Sequence, residues 1–122
     1  METTDFLKRI LPPTGLYVAA RLIDKKFKNQ VCDSIEELAQ QVLAYDNAGV
    51  AAYMACASYR ERSVATTKPN GDVWHQVRIQ KNVRACKVFW MDLDVKPGNP
   101  AAFDSQEQAC ESLVQFCSAT KL

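Results

Sequence analysis

The stretch CKVFWMDLDV, from Cys86 to Val95, places an apolar run directly before two acidic residues, Asp92 and Asp94. A short apolar run of this kind predicts a buried strand. Because side chains alternate faces along a strand, both carboxylates would project from one face, with their Cα atoms roughly 6–7 Å apart. Two ionised carboxylates that close repel each other, and burial makes each one costlier. The strand must therefore end where a cation or open solvent stabilises this pair.

Spacing alone leaves two interpretations of Asp92 and Asp94 open. In the first, they bind Mg²⁺ or Mn²⁺, hard cations that take carboxylate oxygens and also bind phosphates. Two such ions are the usual apparatus for in-line attack on a nucleotide phosphate. In the second, the aspartates mark the point at which the strand enters a solvated turn, with Lys96 as an ion-pair partner.

The basic residues are concentrated immediately before the acidic pair. From Arg60 to Lys87 the chain carries seven basic and two acidic residues, which gives +5 and leaves −4 for the rest of a chain of formal net charge +1. Such a segment favours a partner that carries phosphates, although a solvated charged loop would have the same composition. Tyr59, Trp74 and Trp90 could offer stacking surfaces for bases, with packing against a helix as the alternative for Trp90.

The remaining reactive residue types indicate no further site. The five cysteines form no CxxC pair and no zinc-like cluster, and their odd number argues against a disulfide framework. We interpret them as reduced thiols of a cytoplasmic protein. We interpret the single histidine, His75, as an exposed or hairpin-packed side chain. No signal peptide is recognisable and no apolar run approaches roughly 18 residues, so we expect a soluble chain without a membrane partner.

Periodicity and turn signals predict helices and strands in the order α-β-β-α-β-ribbon-β-α. This order indicates an α/β (α+β) fold, with a mixed sheet flanked by helices. The clearest helix start is at Ser34, which has capping-box spacing to Glu37. The predicted elements are helices over Thr3–Leu11, from Ser34 to Asp46 and from Ser105 onward, strands over Gly15–Asp24, Lys25–Cys32, Val50–Tyr59 and Cys86–Val95, and a ribbon over Arg60–Ala85 with a hairpin-type turn at Asn70-Gly71.

Three segments occur in an order that is typical of one family. They are the opening FLKRILPPTGLYVAARL (Phe6–Leu22), a helix followed by a strand from Ser34 to Tyr59, and RIQKNVRACKVFWMDLDVKPG (Arg78–Gly98). Together these segments resemble the archaeo-eukaryotic primase superfamily, in the primase-polymerase form found in phages and mobile elements. The third is the most specific, because it is similar to the family's R...NV segment followed by its first catalytic motif.

The resemblance implies a DNA primase-polymerase, which is a template-directed nucleotidyltransferase, acting in phage or mobile-element DNA replication. It implies that Asp92 and Asp94 are catalytic and bind Mg²⁺ or Mn²⁺ against the triphosphate and the attacking hydroxyl. By position, Arg78, Lys81 and Arg84 would contact phosphates of the template or the nucleotide. The implied partners are a DNA template, nucleoside triphosphates and a helicase domain or protein.

The resemblance also implies a domain organisation. Residues 1–122 would be a single domain, with an αβ module over 1–59, the basic ribbon over 60–85, and the first-motif strand and helix over 86–122 opening an RRM-like catalytic core. Family members continue into an S-x-G-x-H motif and a third acidic motif, and neither is present here. We therefore expect the N-terminal part of a longer primase-polymerase, with no polymerisation by these residues alone.

Two other functions agree with the same residues. One is a non-catalytic module that binds single-stranded nucleic acid through the basic ribbon and has no use for the aspartates. The other is a protein–protein interaction module of a replisome, for which we expect no affinity for DNA or nucleotides.

Overall fold

The computed structural model describes residues 1–121 and divides into two compact units, the first ending at Phe89 and the second beginning at Trp90. Helices and small antiparallel sheets are both present, which confirms the predicted α+β class. The helices are α1 (Thr3–Ile10), α2 (Ile35–Asn47) and α3 (Gln106–Thr120), the strands are β1 (Tyr17–Ile23), β2 (Lys26–Cys32), β3 (Ala52–Met54), β4 (Ser58–Tyr59), β5 (Val64–Thr67), β6 (Val73–Gln76) and β7 (Val83–Ala85), and a 3₁₀ turn covers Gln80–Asn82.

The main sheet has three strands in the order β2-β1-β3. β1 and β2 form a hairpin whose turn residues, Asp24 and Lys25, both have positive φ, as a two-residue type I′ connection requires. Two further pairs, β4 with β7 and β5 with β6, form separate two-stranded sheets. Every pairing among these strands is antiparallel, so the prediction of one mixed sheet is wrong.

Helices α1 and α2 cover one face of the three-stranded sheet. Tyr17 and Ala19 point toward them from β1 and are buried with Leu7 of α1 and Leu38 of α2. Helix α1 ends because Leu11 precedes a proline pair and takes the extended conformation that this position favours. Period-two alternation turns the neighbouring β1 side chains toward the opposite face of the sheet.

The predicted capping box at the start of α2 is confirmed. Ser34 Oγ accepts a hydrogen bond from the Glu37 backbone N–H at 3.0 Å, and Glu37 Oε2 accepts one from the Asp33 N–H at 2.7 Å. At the other end, Gly49 has φ +69° and donates its N–H to Asp46 O, which satisfies carbonyl groups of the last turn. Local sequence therefore determines both ends of this helix.

The single central strand predicted over Val50–Tyr59 is wrong. The chain bends at Cys56 and Ala57, so that β3 becomes an edge strand of the three-stranded sheet while β4 pairs with β7 instead. A second cluster of buried residues forms there, on the sheet face that α1 and α2 leave uncovered, and joins Val18 to Tyr59 and Val77. This cluster attaches the segment after Tyr59 to the main sheet.

In the segment predicted as a basic ribbon, β5 and β6 form a hairpin. Their register runs from Val64 opposite Gln76 to Thr67 opposite Val73, and Gly71 in the connecting loop has φ +90°. The predicted turn at Asn70-Gly71 is thus confirmed. The hairpin strands are mostly exposed, and the buried Val77 directly after β6 anchors the base of the hairpin.

The buried strand predicted over Cys86–Val95 is also wrong. Strand pairing stops at Ala85, and no strand is assigned over residues 86–94 in the part of the chain that the structure describes. Phe89 is 97% exposed, and Trp90 and Met91 are about half exposed. In the second unit, Val95 makes one bridge to Phe103, and α3 begins after Ser105, whose Oγ accepts a hydrogen bond from Gln108 N–H.

Across residues 1–121, no helix combines the length and the apolar character that crossing a membrane requires.

Candidate functional site

The three basic residues predicted to contact phosphates lie in the first unit but not on one common surface. Arg78 follows β6, and its guanidinium lies 5.2 Å from the centre of the Phe27 ring on β2. Lys81 is in the 3₁₀ turn and donates from Nζ to Ala65 O at 3.4 Å, which places its charge against β5. Arg84 is on β7 and acts on Tyr17: burial raises the pKa of that phenol, and the Arg84 charge opposes part of the rise.

Arg78 borders a cavity of about 270 Å³ between β2 and the base of the hairpin. Arg62, Ser63 and His75 also line it. The Arg62 guanidinium pairs with the Asp33 carboxylate, while Ser63 Oγ and His75 Nδ1 are 3.5 Å apart. Two guanidinium groups, a hydroxyl and an imidazole converge here, and all of them can donate hydrogen bonds to a phosphate. We therefore identify this basic cavity as the candidate site for an anionic ligand.

A larger cavity, of about 560 Å³, lies at the start of α2 and has a different charge. Lys8, its one lysine, is bound to Glu36 at 2.6 Å, and Asp33 is also part of the lining. The ion pair raises the pKa of Lys8 and lowers that of Glu36. Its one lysine is matched by a carboxylate, whereas the basic cavity has Arg78 in addition to Arg62, which Asp33 matches, so the larger cavity suits an anionic ligand less well.

Asn82, which was not among the predicted site residues, bonds to the chain on both sides of the hairpin that borders the basic cavity. Its side chain is buried, accepts a hydrogen bond from Glu61 N–H at 2.9 Å, and donates to Glu61 O at 2.8 Å and Val77 O at 2.9 Å. These bonds join the residues just before β5 to those just after β6. The asparagine of the R...NV segment thus clamps the two ends of the hairpin together, and its place in that segment was the available sequence signal.

Of the three aromatic residues considered for base stacking, Tyr59 is excluded in this structure because it is buried. Trp74 is 48% exposed, and Lys68 Nζ lies 3.3 Å from the centre of its ring, so a cation already covers one face. Trp90 is about half exposed and belongs to the second unit. Phe27 and Tyr53, which were not among the predicted site residues, are two exposed rings on the main sheet that contact each other.

Asp92 and Asp94 lie in the second unit, in the exposed segment before α3. The Asp94 carboxylate pairs with Lys96 Nζ at 2.9 Å, and its backbone carbonyl accepts a hydrogen bond from Phe103 N–H at 2.8 Å. The ion pair with Lys96 is the arrangement expected from the second of the two interpretations of this pair. It does not exclude a metal, since an exposed pair of this kind is weak and exchanges readily.

The donor set of this carboxylate pair suits a hard divalent ion in kind but is small in number. Among residues 1–121, no group of three or more His, Cys, Asp or Glu side chains is arranged to hold a metal ion. Two carboxylates are nonetheless the protein contribution that Mg²⁺ usually receives at phosphate-transfer sites, where water and substrate phosphates complete the shell. Asp92 and Asp94 thus supply the kind of oxygen donor that such an ion takes, but the strand predicted to place both on one face is not formed.

No protein-family model matches this chain, and neither the curated proteins nor the solved structures compared with it give a match. The resemblance to primase-polymerases thus depends only on the residues quoted above.

Proposed function

We propose that this chain binds single-stranded DNA through the basic cavity and the hairpin above it, as part of a template-directed nucleotidyltransferase of the primase-polymerase type. The observation that carries the proposal is the convergence of Arg62, Arg78 and His75 on one cavity at the base of an exposed hairpin. In this assignment Lys81 adds charge beside β5, and Lys68 does so at the hairpin tip. Template DNA and nucleoside triphosphates are the proposed partners, together with a helicase.

The catalytic part of the proposal assigns Mg²⁺ or Mn²⁺ to Asp92 and Asp94. Such an ion supplies charge neutralisation of the triphosphate and activation of the attacking hydroxyl. The chain's own contribution is to present two carboxylate oxygens in an exposed segment, where Lys96 neutralises Asp94 until a cation replaces it. The RRM-like catalytic core and the role in phage or mobile-element replication belong to the same proposal.

The binding part can be tested by fluorescence anisotropy with labelled oligo(dT) across a range of salt concentrations. Replacing Arg78 with Ala removes one phosphate contact, so affinity should fall and the slope of log K against log salt should decrease by about 0.7. Lys28→Ala is the matched control, because Lys28 neighbours Phe27 on β2 but its register partner Arg21 faces α2. An equal loss in both variants, or no binding by the wild-type chain, would contradict the proposal.

The metal part can be tested by electron paramagnetic resonance of Mn²⁺ titrated with the chain. The free-ion signal should fall with the wild type and persist with Asp92→Asn/Asp94→Asn. The control variant is Glu107→Gln/Glu111→Gln, which removes the same charge from α3 in the same unit. Binding that survives the aspartate changes, or that is lost equally in the control, would refute the metal assignment.

A non-catalytic module that binds single-stranded nucleic acid is the second candidate function. The Asp94–Lys96 ion pair favours it, because an aspartate neutralised by its own neighbour needs no metal to be tolerated. In that case Mn²⁺ has no effect on DNA binding, and Asp92→Asn/Asp94→Asn tightens binding by removing negative charge. The metal-binding function instead predicts that Mn²⁺ strengthens nucleotide binding and that the same substitutions abolish the gain.

A further inference from the structure

The outer face of the main sheet, opposite α1 and α2, is only partly covered. Along β1, Val18 is buried beneath the cluster that contains Tyr59 and Val77, while Leu22 farther along the same face is 37% exposed. Between them lies Ala20, which is paired with Asn29 on β2 and with Tyr53 on β3. Phe27 lies on β2 opposite Leu22, on the same face of the sheet as Tyr53. We call Phe27 and Tyr53 the aromatic pair.

The small side chain of Ala20 explains how the aromatic pair forms. Phe27 and Tyr53 are on the two strands that flank β1, diagonally across it, and the Ala20 side chain opposite Tyr53 is only a methyl group. The rings meet edge to face, with centroids 5.1 Å apart and planes at 88°. Ala20 is 1% exposed beneath them, while Phe27 and Tyr53 themselves are 48% and 43% exposed. The pair thus leaves a large apolar ring surface in solvent.

This aromatic pair adjoins the basic cavity. Arg78 borders the cavity and places its guanidinium 5.2 Å from the Phe27 ring centre. Asn29 also lines the cavity and shares the sheet face with the aromatic pair. The Phe27 ring and the converging positive charge therefore meet at Arg78. A ligand that covers both must have a planar apolar part and an anionic part a short distance away.

We propose that this face is a stacking site for the bases of single-stranded nucleic acid, with a base on the aromatic pair and its phosphate at Arg78 and the basic cavity. The proposal rests on the proposed function and adds to it the place and the chemistry of base contact. Charge complementarity selects a nucleic acid over an apolar partner, because the Arg78 guanidinium borders the cavity and lies close to the Phe27 ring. Stacking tolerates any base, so the site is indifferent to sequence.

The test compares two oligonucleotides that carry the same phosphates, oligo(dT) and an abasic oligomer of equal length. Stacking predicts that wild-type chain binds oligo(dT) about tenfold more tightly or better, and phosphate contact alone predicts equal affinity. Phe27→Leu should remove most of this preference, measured as the ratio of the affinities for the two oligomers. Phe27→Trp restores an aromatic surface and should retain the preference.

The matched control is Phe6→Leu, since Phe6 on α1 has the same 48% exposure as Phe27 but lies on a different element. This variant should keep the wild-type preference. A preference that persists in Phe27→Leu overturns the stacking site alone, because Arg78→Ala still reports on the proposed function. Absence of binding to either oligomer overturns both. A change from dimer to monomer in Phe27→Leu, measured by sedimentation with no change in base preference, would identify the face as a contact between two copies and refute the proposal.

Discussion

The β5-β6 hairpin and the Cys86–Val95 segment were both predicted as β structure, and the structure forms only the first. The hairpin contains little buried apolar surface, yet its two strands pair in full register. The Cys86–Val95 segment is far more apolar, yet Phe89 is almost fully exposed and no strand is assigned over residues 86–94 of the described chain. Apolar composition was therefore the weaker of the two signals.

The difference follows from where each strand finds its partner. Asn70-Gly71 closes a short loop, so the hairpin's hydrogen-bond partners are close in sequence and the entropy cost of bringing them together is small. A single apolar run has no such local partner and becomes a strand only if a distant segment supplies one. The comparison predicts that residues anchoring the hairpin have large effects on stability, whereas equivalent residues around the acidic pair have small ones.

The largest expected effect is from Asn82→Ala, compared with Asn99→Ala in the second unit. Removing the Asn82 amide leaves Glu61 N–H, Glu61 O and Val77 O without these hydrogen bonds. The free energy of unfolding should therefore fall by about 4 kcal/mol. Asn99 makes one exposed side-chain bond, to Ala101 N–H, and its loss should cost about 0.5 kcal/mol. Urea denaturation followed by circular dichroism measures both. Equal values for the two variants would show that the hairpin clamp contributes nothing special.

A second pair of substitutions compares a glycine packed against β4 in the first unit with a glycine in the segment after the acidic pair. Gly15 has φ +116°, and a Cβ there would lie 2.8 Å from Ser58 Cβ and Oγ, so Gly15→Ala should cost about 3 kcal/mol. Gly98 has φ +78° and open space around it, so Gly98→Ala should cost about 1 kcal/mol. Thermal unfolding of the two variants checks this ranking. A larger loss for Gly98 would mean that the segment after the acidic pair is more constrained than its exposure indicates.

Local signals explain which parts of the fold were predictable. The capping box at Ser34, the glycine after α2 and the hairpin turn at Asn70-Gly71 each depend on residues within a few positions, and each was found. The bend at Cys56 was missed because it depends on pairing between residues far apart in sequence: β4 pairs with β7, while β3 remains on the main sheet. No pattern within Val50–Tyr59 contains that information.

The candidate site was predictable in charge but not in arrangement. The excess of basic residues identified the hairpin segment. Only the fold shows that the Arg78 guanidinium lies against the Phe27 ring, whereas the charge of Arg84 lowers the pKa of Tyr17 against the effect of burial. Phe27 was missed because the sequence KKFKN gives a lone aromatic among cations and no indication that Tyr53, on a separate strand, would meet it. The metal assignment for Asp92 and Asp94 stays a prediction.

The smallest expected effect concerns alkaline pH and is confined to the first unit, which contains all four tyrosines. Burial raises the pKa of Tyr17 and of Tyr59 above the ordinary value. A raised folded-state pKa means that a tyrosine of the unfolded chain loses its proton at a lower pH than the same tyrosine of the folded chain. The stabilisation from this difference is complete below about pH 10 and is lost as pH rises through the folded-state pKa. Tyr17→Phe removes one such group, along with its hydrogen bond to Pro12 O. The variant should be less stable at neutral pH but should lose less additional stability between neutral and strongly alkaline pH. Urea titrations across that range measure the slope, and an unchanged alkaline decline would show that the Tyr17 phenol ionises equally easily in the folded and unfolded chain.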